Sequence, residues 1–181
     1  MNKYHIYFLV LSLSLLSAFL FEGSVFILAT CLILFDRCLL GRVKIIHGVE
    51  FTAISIMLVA LRYDFMVSVF FCVFIMFLLP AGINTFLGAR FVTNKDFKIV
   101  RGFFGVFVNI LSAALISYLG NLDPLLIMFF VLLFAHFLYT LKGKFTQNNY
   151  ILDYFGIILN MIFNLSLVFF FHSFLLSIVV I

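Results

Sequence analysis

The stretch DRCLLGRVKIIHGVE, from Asp36 to Glu50, is a polar island in an otherwise apolar chain. It holds five of the eighteen charged side chains of the sequence, together with His47, within fifteen residues. Apolar runs precede and follow it, from Ser24 to Phe35 and from Phe51 to Leu61. We interpret this island, together with polar side chains inside the apolar runs, as the mark of a ligand site.

The composition favours lipid as the solvent of the chain. Of 181 residues, 66% are hydrophobic and 10% are charged, whereas a soluble domain has about half apolar and roughly 25% charged residues. In hydrocarbon every backbone N–H and C=O must be paired internally, which leaves helices or closed barrels. Barrel strands alternate over about 10 residues, but here both faces of longer runs are apolar. The sequence therefore predicts an all-α, multi-pass helix bundle of the cell membrane, with residues 1–181 as a single integral membrane domain.

Seven apolar runs are candidates for membrane helices. A helix needs about 20 residues to cross the hydrocarbon layer, and several runs are shorter. If every run crosses there are seven spans, and if the short runs beside the polar island pack as half-helices there are six or fewer. We expect about six transmembrane helices (five to seven), some short or broken. The runs are Ile6–Phe21, Ser24–Phe35, Phe51–Leu61, Phe65–Leu79, Gly102–Leu119, Leu125–Leu141 and Ile151–Ile178.

Pro80 closes the fourth of these runs. It has no N–H to donate, and it biases Leu79 away from helical backbone angles. The segment Ala81–Phe91 is therefore expected either to continue as a kinked helix or to lie at the membrane interface.

The net charge of +4 is interpreted as a topological signal. Lys and Arg prefer the cytoplasmic side of a membrane and contact anionic lipid headgroups. This preference favours a cytoplasmic position for Arg90–Arg101 and for Lys142 and Lys144, while the side taken by Asp36–Glu50 stays open. No basic patch lies among exposed aromatic residues in a soluble segment, so the sequence argues against nucleic-acid binding.

Polar side chains form a stripe along one face of each of three apolar runs, at 100° per residue. Polar groups at membrane depth are costly, so they are candidates for function. They either hydrogen-bond neighbouring helices to each other or converge on a small cavity. The stripes are Arg101, Gly105, Asn109 and Ser112; His136, Thr140 and Lys144; and Asp153, Gly156, Asn160 and Asn164.

His47 and Glu50 are three residues apart and would share a face if their segment is helical. Together they could bind a cation or a polar ligand. Alternatively, Glu50 is a negative charge at the start of a helix, where the helix dipole favours it. No third or fourth ligand stands at a recognisable spacing, so the sequence predicts no metal site.

Catalytic motifs are missing from the sequence. It contains no HExxH, GxSxG, phosphate-loop or GxGxxG pattern. The five aspartates stand singly at the ends of the runs, so no acidic cluster could hold two metal ions. Cys31, Cys38 and Cys72 contain no CxxC pair and are expected to be buried apolar residues. We therefore expect a protein that is not an enzyme and needs no cofactor.

The stretch GRVKIIHGVEFTAISIMLVA, from Gly41 to Ala60, resembles the substrate-binding S components of energy-coupling-factor transporters. In that family a short amphipathic stretch ending in E-F-T leads into an apolar helix. The size of the chain and the number of spans are also similar. The resemblance implies a bundle that captures a vitamin-like or metal substrate, with a coupling membrane subunit and a pair of ATPase subunits as partners.

The same resemblance implies ligand-facing residues. Asn and His suit this role because they both donate and accept hydrogen bonds without bringing a full charge into low dielectric. The chain is also similar in size and hydropathy to membrane proteins of the MreD type, which act as scaffolds and would bind no ligand. The ligand-facing candidates are His47, Glu50, Asn109, His136, Asn160 and Asn164.

Overall fold

The structure is a computed structural model, and it describes residues 23–40, 48–86, 99–146 and 151–179. The run Ile6–Phe21, most of the segment Arg90–Arg101 and His47 lie outside these residues. Within the described ranges the chain forms helices and connecting turns and no strands. The all-α prediction is therefore confirmed for this part of the chain.

Eight α-helices and two π-helical segments follow one another in the described residues. Helix α1 runs directly into the π-helical segment Phe35–Leu39, and the π-helical segment Phe71–Leu78 joins α3 to α4. The α-helices are α1 (Ser24–Leu34), α2 (Thr52–Arg62), α3 (Phe65–Phe70), α4 (Leu79–Phe86), α5 (Ile99–Leu119), α6 (Pro124–Thr146), α7 (Tyr154–Phe170) and α8 (His172–Val179).

Helix α2 lies at the centre of the bundle. It packs against α1, α3, α5, α6, α7 and α8, and its residues Ile54 to Ala60 are all buried. Burial on every side is expected for a helix whose sequence is apolar all round. With 11 residues it is roughly 16 Å long, too short to cross a hydrocarbon layer of about 30 Å. Of the two alternatives for the run Phe51–Leu61, the structure therefore favours a half-helix.

Aromatic contacts join α1 to the helices around α2. The ring of Phe26 is fully buried and packs edge-to-face on Phe71, with ring centroids 5.3 Å apart, and on Tyr63, with centroids 5.9 Å apart. Such pairs add about 0.5–1.5 kcal/mol beyond the burial of area. Cys72 is buried beside Phe71, as expected, whereas Cys31 is exposed and Cys38 is only partly buried, contrary to the prediction.

Pro80 does not end its helix, and Leu79 keeps helical angles (φ −62°, ψ −52°). The chain therefore continues as a helix after Pro80, up to Phe86. The preceding segment is π-helical, and the N–H of Leu79 donates to the carbonyl of Phe74, five residues back. Proline in an α-helix clashes with the carbonyl four residues back, and the wider π-helical turn removes this conflict.

The last apolar run is broken, which corrects the prediction of one helix from Ile151 to Ile178. Helix α7 ends at Phe170, Phe171 leaves the helical region (φ −100°, ψ 15°), and α8 packs on α2 and α6. Leu175 of α8 is almost fully buried. Because neither Gly nor Pro stands at the break, only these tertiary contacts account for it.

A polar contact fixes the start of α8. Nε2 of His172 lies 2.9 Å from Oδ2 of Asp123, which precedes α6. The hydrogen bond with His172 is the main reason why the pKa of Asp123 lies below its ordinary value of 3.8. His172 therefore connects the starts of α6 and α8.

Single aspartates cap the helices that they precede. Oδ1 of Asp64 accepts a hydrogen bond from the N–H of Val67 at the start of α3. Oδ1 of Asp153 accepts one from the N–H of Gly156 in α7. Such caps contribute typically about 1 kcal/mol each. The isolated position of these aspartates in the sequence thus has a structural explanation.

Two stretches are long enough and apolar enough to cross a membrane, namely Phe65–Ile83 and Pro124–Thr146. Three further apolar segments of the described ranges are shorter, namely Thr52–Arg62, Phe103–Leu119 and Tyr154–Phe170. Helix α7 nevertheless turns its apolar side outward: Phe155 is 73% exposed and Ile162 is 58% exposed, whereas Asn164 on the opposite side is fully buried.

Candidate functional site

A cavity of about 290 Å³ lies where α2, α5, α6 and α7 meet. This volume is at the lower end of the range for small-molecule sites, roughly 300–1,000 Å³. Its lining combines apolar side chains with polar groups from all four helices and from the segment before α2. The lining residues are Gly48, Glu50, Thr52, Ala53, Ile56, Asn109, Ser112, Val131, Leu132, Ala135, His136, Tyr139, Thr140, Asp153, Gly156, Ile157 and Asn160.

Gly48 holds the segment before α2 against α7. Its φ of +86° belongs to the left-handed region, which glycine adopts without steric cost. A Cβ atom at this position would lie 2.6 Å from the carbonyl oxygen of Gly156 and 3.3 Å from the backbone nitrogen of Asn160. Only glycine therefore permits this close approach, which brings Glu50 to the face of α7 that carries the polar stripe.

Glu50 is the acceptor at the centre of a hydrogen-bond network. Its Oε1 accepts a short hydrogen bond, 2.6 Å, from Nδ2 of Asn160. Nδ2 of Asn164 lies 3.0 Å from Oδ1 of Asn160 and 3.2 Å from the backbone carbonyl of Glu50. Both asparagines are buried. The network thus ties a half-buried carboxylate to two asparagines that are one helical turn apart.

A second carboxylate, Asp36, supports the start of α2 from the π-helical segment after α1. Its Oδ2 accepts a hydrogen bond of 3.0 Å from the N–H of Phe51. Nη2 of Arg37 donates to Oγ1 of Thr52 at 3.0 Å. The residue before α2 has no cap from its own side chain, so Asp36 supplies the acceptor that the helix start requires.

Helices α5 and α6 complete the polar part of the lining. Asn109 and Ser112 of α5 are buried and lie on the cavity wall. His136 of α6 also lines the cavity, and its Nε2 is buried without a hydrogen-bond partner in the described part of the chain. Such a group lacks the compensation that buried polar atoms require, so it is available to a ligand.

The three polar stripes meet at this cavity. Of the ligand-facing candidates, Glu50, Asn109, His136 and Asn160 line it. Asn164 lies behind Asn160 and bonds to it instead, and His47 lies outside the described residues. The sequence therefore identifies residues that the fold brings together, and their role in ligand binding stays a prediction.

Three residues contribute to the site but are not among the ligand-facing residues predicted from the sequence. Thr52 and Tyr139 line the cavity, and Asp36 positions the start of α2. Thr52 belongs to the E-F-T stretch, and Tyr139 stands three residues after His136 of a predicted stripe and so shares its face; both positions therefore carried a usable signal. Asp36 opens the polar island, but its contact with Phe51, fifteen residues further along the chain, has no local signal.

The donor set of the site is mixed. Among the described residues no three His, Cys, Asp or Glu side chains lie close enough together to hold a metal ion. The cavity instead offers amide, hydroxyl, imidazole and carboxylate groups beside aliphatic side chains. Sites with a few placed polar groups in a largely apolar wall are typical of small organic ligands.

Comparison with protein-family models, with curated proteins and with solved structures gave no match.

Proposed function

We propose that this protein is a multi-pass protein of the cell membrane that binds a small organic solute between α2, α5, α6 and α7. The observation that carries the proposal is the cavity, where polar side chains of three helices lie beside Glu50. The outward apolar side of α7 and its buried asparagines suit a bundle surrounded by lipid. We retain about six spans, between five and seven, as the expected topology.

The binding protein would act as the solute-binding subunit of a multi-component importer. The support is the resemblance of Gly41–Ala60 to S components, because Gly48 and Glu50 of this stretch lie at the cavity. A coupling membrane subunit and ATPase subunits are the partners that this function requires. Of the two substrate classes that the resemblance implies, the mixed lining of the cavity suits a vitamin-like organic molecule better than a metal ion.

A scaffold without a ligand, of the MreD type, is the alternative. One observation favours it: Nδ2 of Asn160 donates to Glu50 and Nδ2 of Asn164 donates to Asn160, as residues that join helices do. The two functions differ in what they require of Asn109 and His136. These residues line the cavity, and only ligand binding would require them.

Native mass spectrometry of the purified protein tests the proposal. We expect a co-purifying small molecule or partner subunits with the unmodified chain, and loss of the small molecule after the double substitution Asn109→Leu/His136→Leu. The matched control is Asn121→Leu, which makes the same asparagine-to-leucine change at an exposed turn residue outside the cavity lining and should retain the small molecule. A folded protein that never carries a small molecule would refute solute binding and favour the scaffold.

A further inference from the structure

The described residues that line the cavity include two acidic side chains, Glu50 and Asp153, and no Lys or Arg. We infer, on the basis of the proposed solute-binding function, that the ligand is a small organic cation, such as a protonated amine on an apolar body, and that Glu50 is the residue that selects its charge.

Glu50 has no positively charged partner within the described ranges. Its carboxylate is bonded to the neutral amide of Asn160, and its Oε2 lies 3.5 Å from Oγ1 of Thr52, at the limit of a hydrogen bond. The nearby Arg37 donates to Thr52. A half-buried carboxylate without a counter-charge is unfavourable in low dielectric, so a cation next to Oε2 would be stabilised there.

The two carboxylates of the lining have different roles. Asp153 caps α7, since its Oδ1 accepts from the N–H of Gly156. Glu50 bonds with one oxygen at 2.6 Å and leaves the other with only a long contact. A carboxylate can accept about four hydrogen bonds, so Glu50 has capacity for an ammonium group after its bond with Asn160 is made.

The remaining lining fits the uncharged part of such a ligand. Ile56, Val131 and Ile157 provide aliphatic walls, and Tyr139 provides an aromatic ring. A cation near a tyrosine ring gains additional electrostatic attraction. The unpartnered Nε2 of His136 offers one further hydrogen bond. The volume of about 290 Å³ restricts the ligand to a small molecule.

Three probes of similar shape and different charge test the inference: benzylamine, benzyl alcohol and benzoate. Their binding is measured by isothermal titration calorimetry on the full chain in nanodiscs of phosphatidylcholine, which avoids anionic lipid. We expect benzylamine to bind about tenfold more tightly than benzyl alcohol, since hydrogen bonds to charged groups are the stronger ones. Benzoate should bind most weakly, because Glu50 repels it.

The substitution Glu50→Gln should abolish the preference for benzylamine and leave benzyl alcohol within about twofold, because glutamine keeps an acceptor for Asn160. Glu22→Gln, the same change at the other glutamate of the chain, is the control and should keep the preference. The probe series on the unmodified protein needs no variant, so it remains decisive if Glu50→Gln does not fold.

The outcomes separate the two proposals. Equal binding of benzylamine and benzyl alcohol, or a preference that survives Glu50→Gln, overturns selection for a cation by Glu50 and leaves solute binding intact. Absence of binding by all three probes overturns the cation site. The solute-binding function itself fails only if native mass spectrometry also finds no small molecule.

Discussion

Gly48→Ala is the substitution with the best-defined consequence. Two independent costs arise at this position. The φ of +86° is unfavourable for an L-residue by roughly 1–2 kcal/mol, and the new Cβ would lie 2.6 Å from the carbonyl oxygen of Gly156. Because that neighbour is backbone, the segment before α2 must move away from α7.

This movement would lengthen the hydrogen bond between Glu50 and Asn160. A hydrogen bond to a charged group contributes about 1.5–3 kcal/mol. We therefore expect Gly48→Ala to lower the free energy of unfolding by roughly 2.5–5 kcal/mol, from the backbone strain and the lost hydrogen bond together. The measurement is reversible unfolding in mixed detergent micelles, followed by circular dichroism.

Gly105→Ala is the matched control, because its added Cβ would have only an ordinary contact, 3.7 Å from the hydroxyl of Tyr139. In the middle of α5 it should be neutral or stabilise by up to about 1 kcal/mol. A double-mutant cycle of Gly48→Ala with Asn160→Leu should be less than additive, since both changes remove one hydrogen bond. Equal stabilities of Gly48→Ala and Gly105→Ala, or strict additivity in the cycle, would refute the reasoning.

Two further predictions concern α8. The pKa of Asp123 is lower in the folded protein than its ordinary value of 3.8. The contact with His172 should therefore stabilise the fold above pH 3.8, and this stabilisation should be lost as the pH falls through the lower pKa of the folded protein. In thermal unfolding experiments between pH 2 and 7, the stability of Asp123→Asn should depend less on pH than that of the unmodified protein, and an unchanged profile would contradict this. Leu175→Ala should lower the free energy of unfolding by about 2–5 kcal/mol. Leu176→Ala, at a neighbouring position that is 40% exposed, is the control and should change it by about 0.5 kcal/mol or less. Similar losses for the two variants in micelle unfolding experiments would show that α8 does not pack as described.

Local periodicity made the polar stripes predictable. Residues three or four apart lie on one face of a helix, so Asn160 and Asn164 could be assigned to one face of α7 without knowledge of any neighbour. The same rule placed Asn109 with Ser112 on α5 and His136 with Thr140 on α6. Each of these assignments depends only on the geometry of a single helix, and for that reason it carried over to the structure.

Helix ends were less predictable because tertiary contacts decide them. The break at Phe171 has no local cause in the sequence, and it places Leu175 in the core and His172 beside Asp123. The continuation of the helix through Pro80 depends on the π-helical turn before it. In both places packing outweighs the local conformational preference.

The sequence by itself determined that the described chain is helical and which side of each helix is polar, because hydropathy and the 3.6-residue period are local properties. Only the tertiary structure decided that these sides face one another around a cavity, and that Glu50 bonds to Asn160, 110 residues further along the chain. Contacts over such distances depend on how the helices pack. Here the close approach of Gly48 to Gly156 brings the two polar groups together, and no local pattern encodes it.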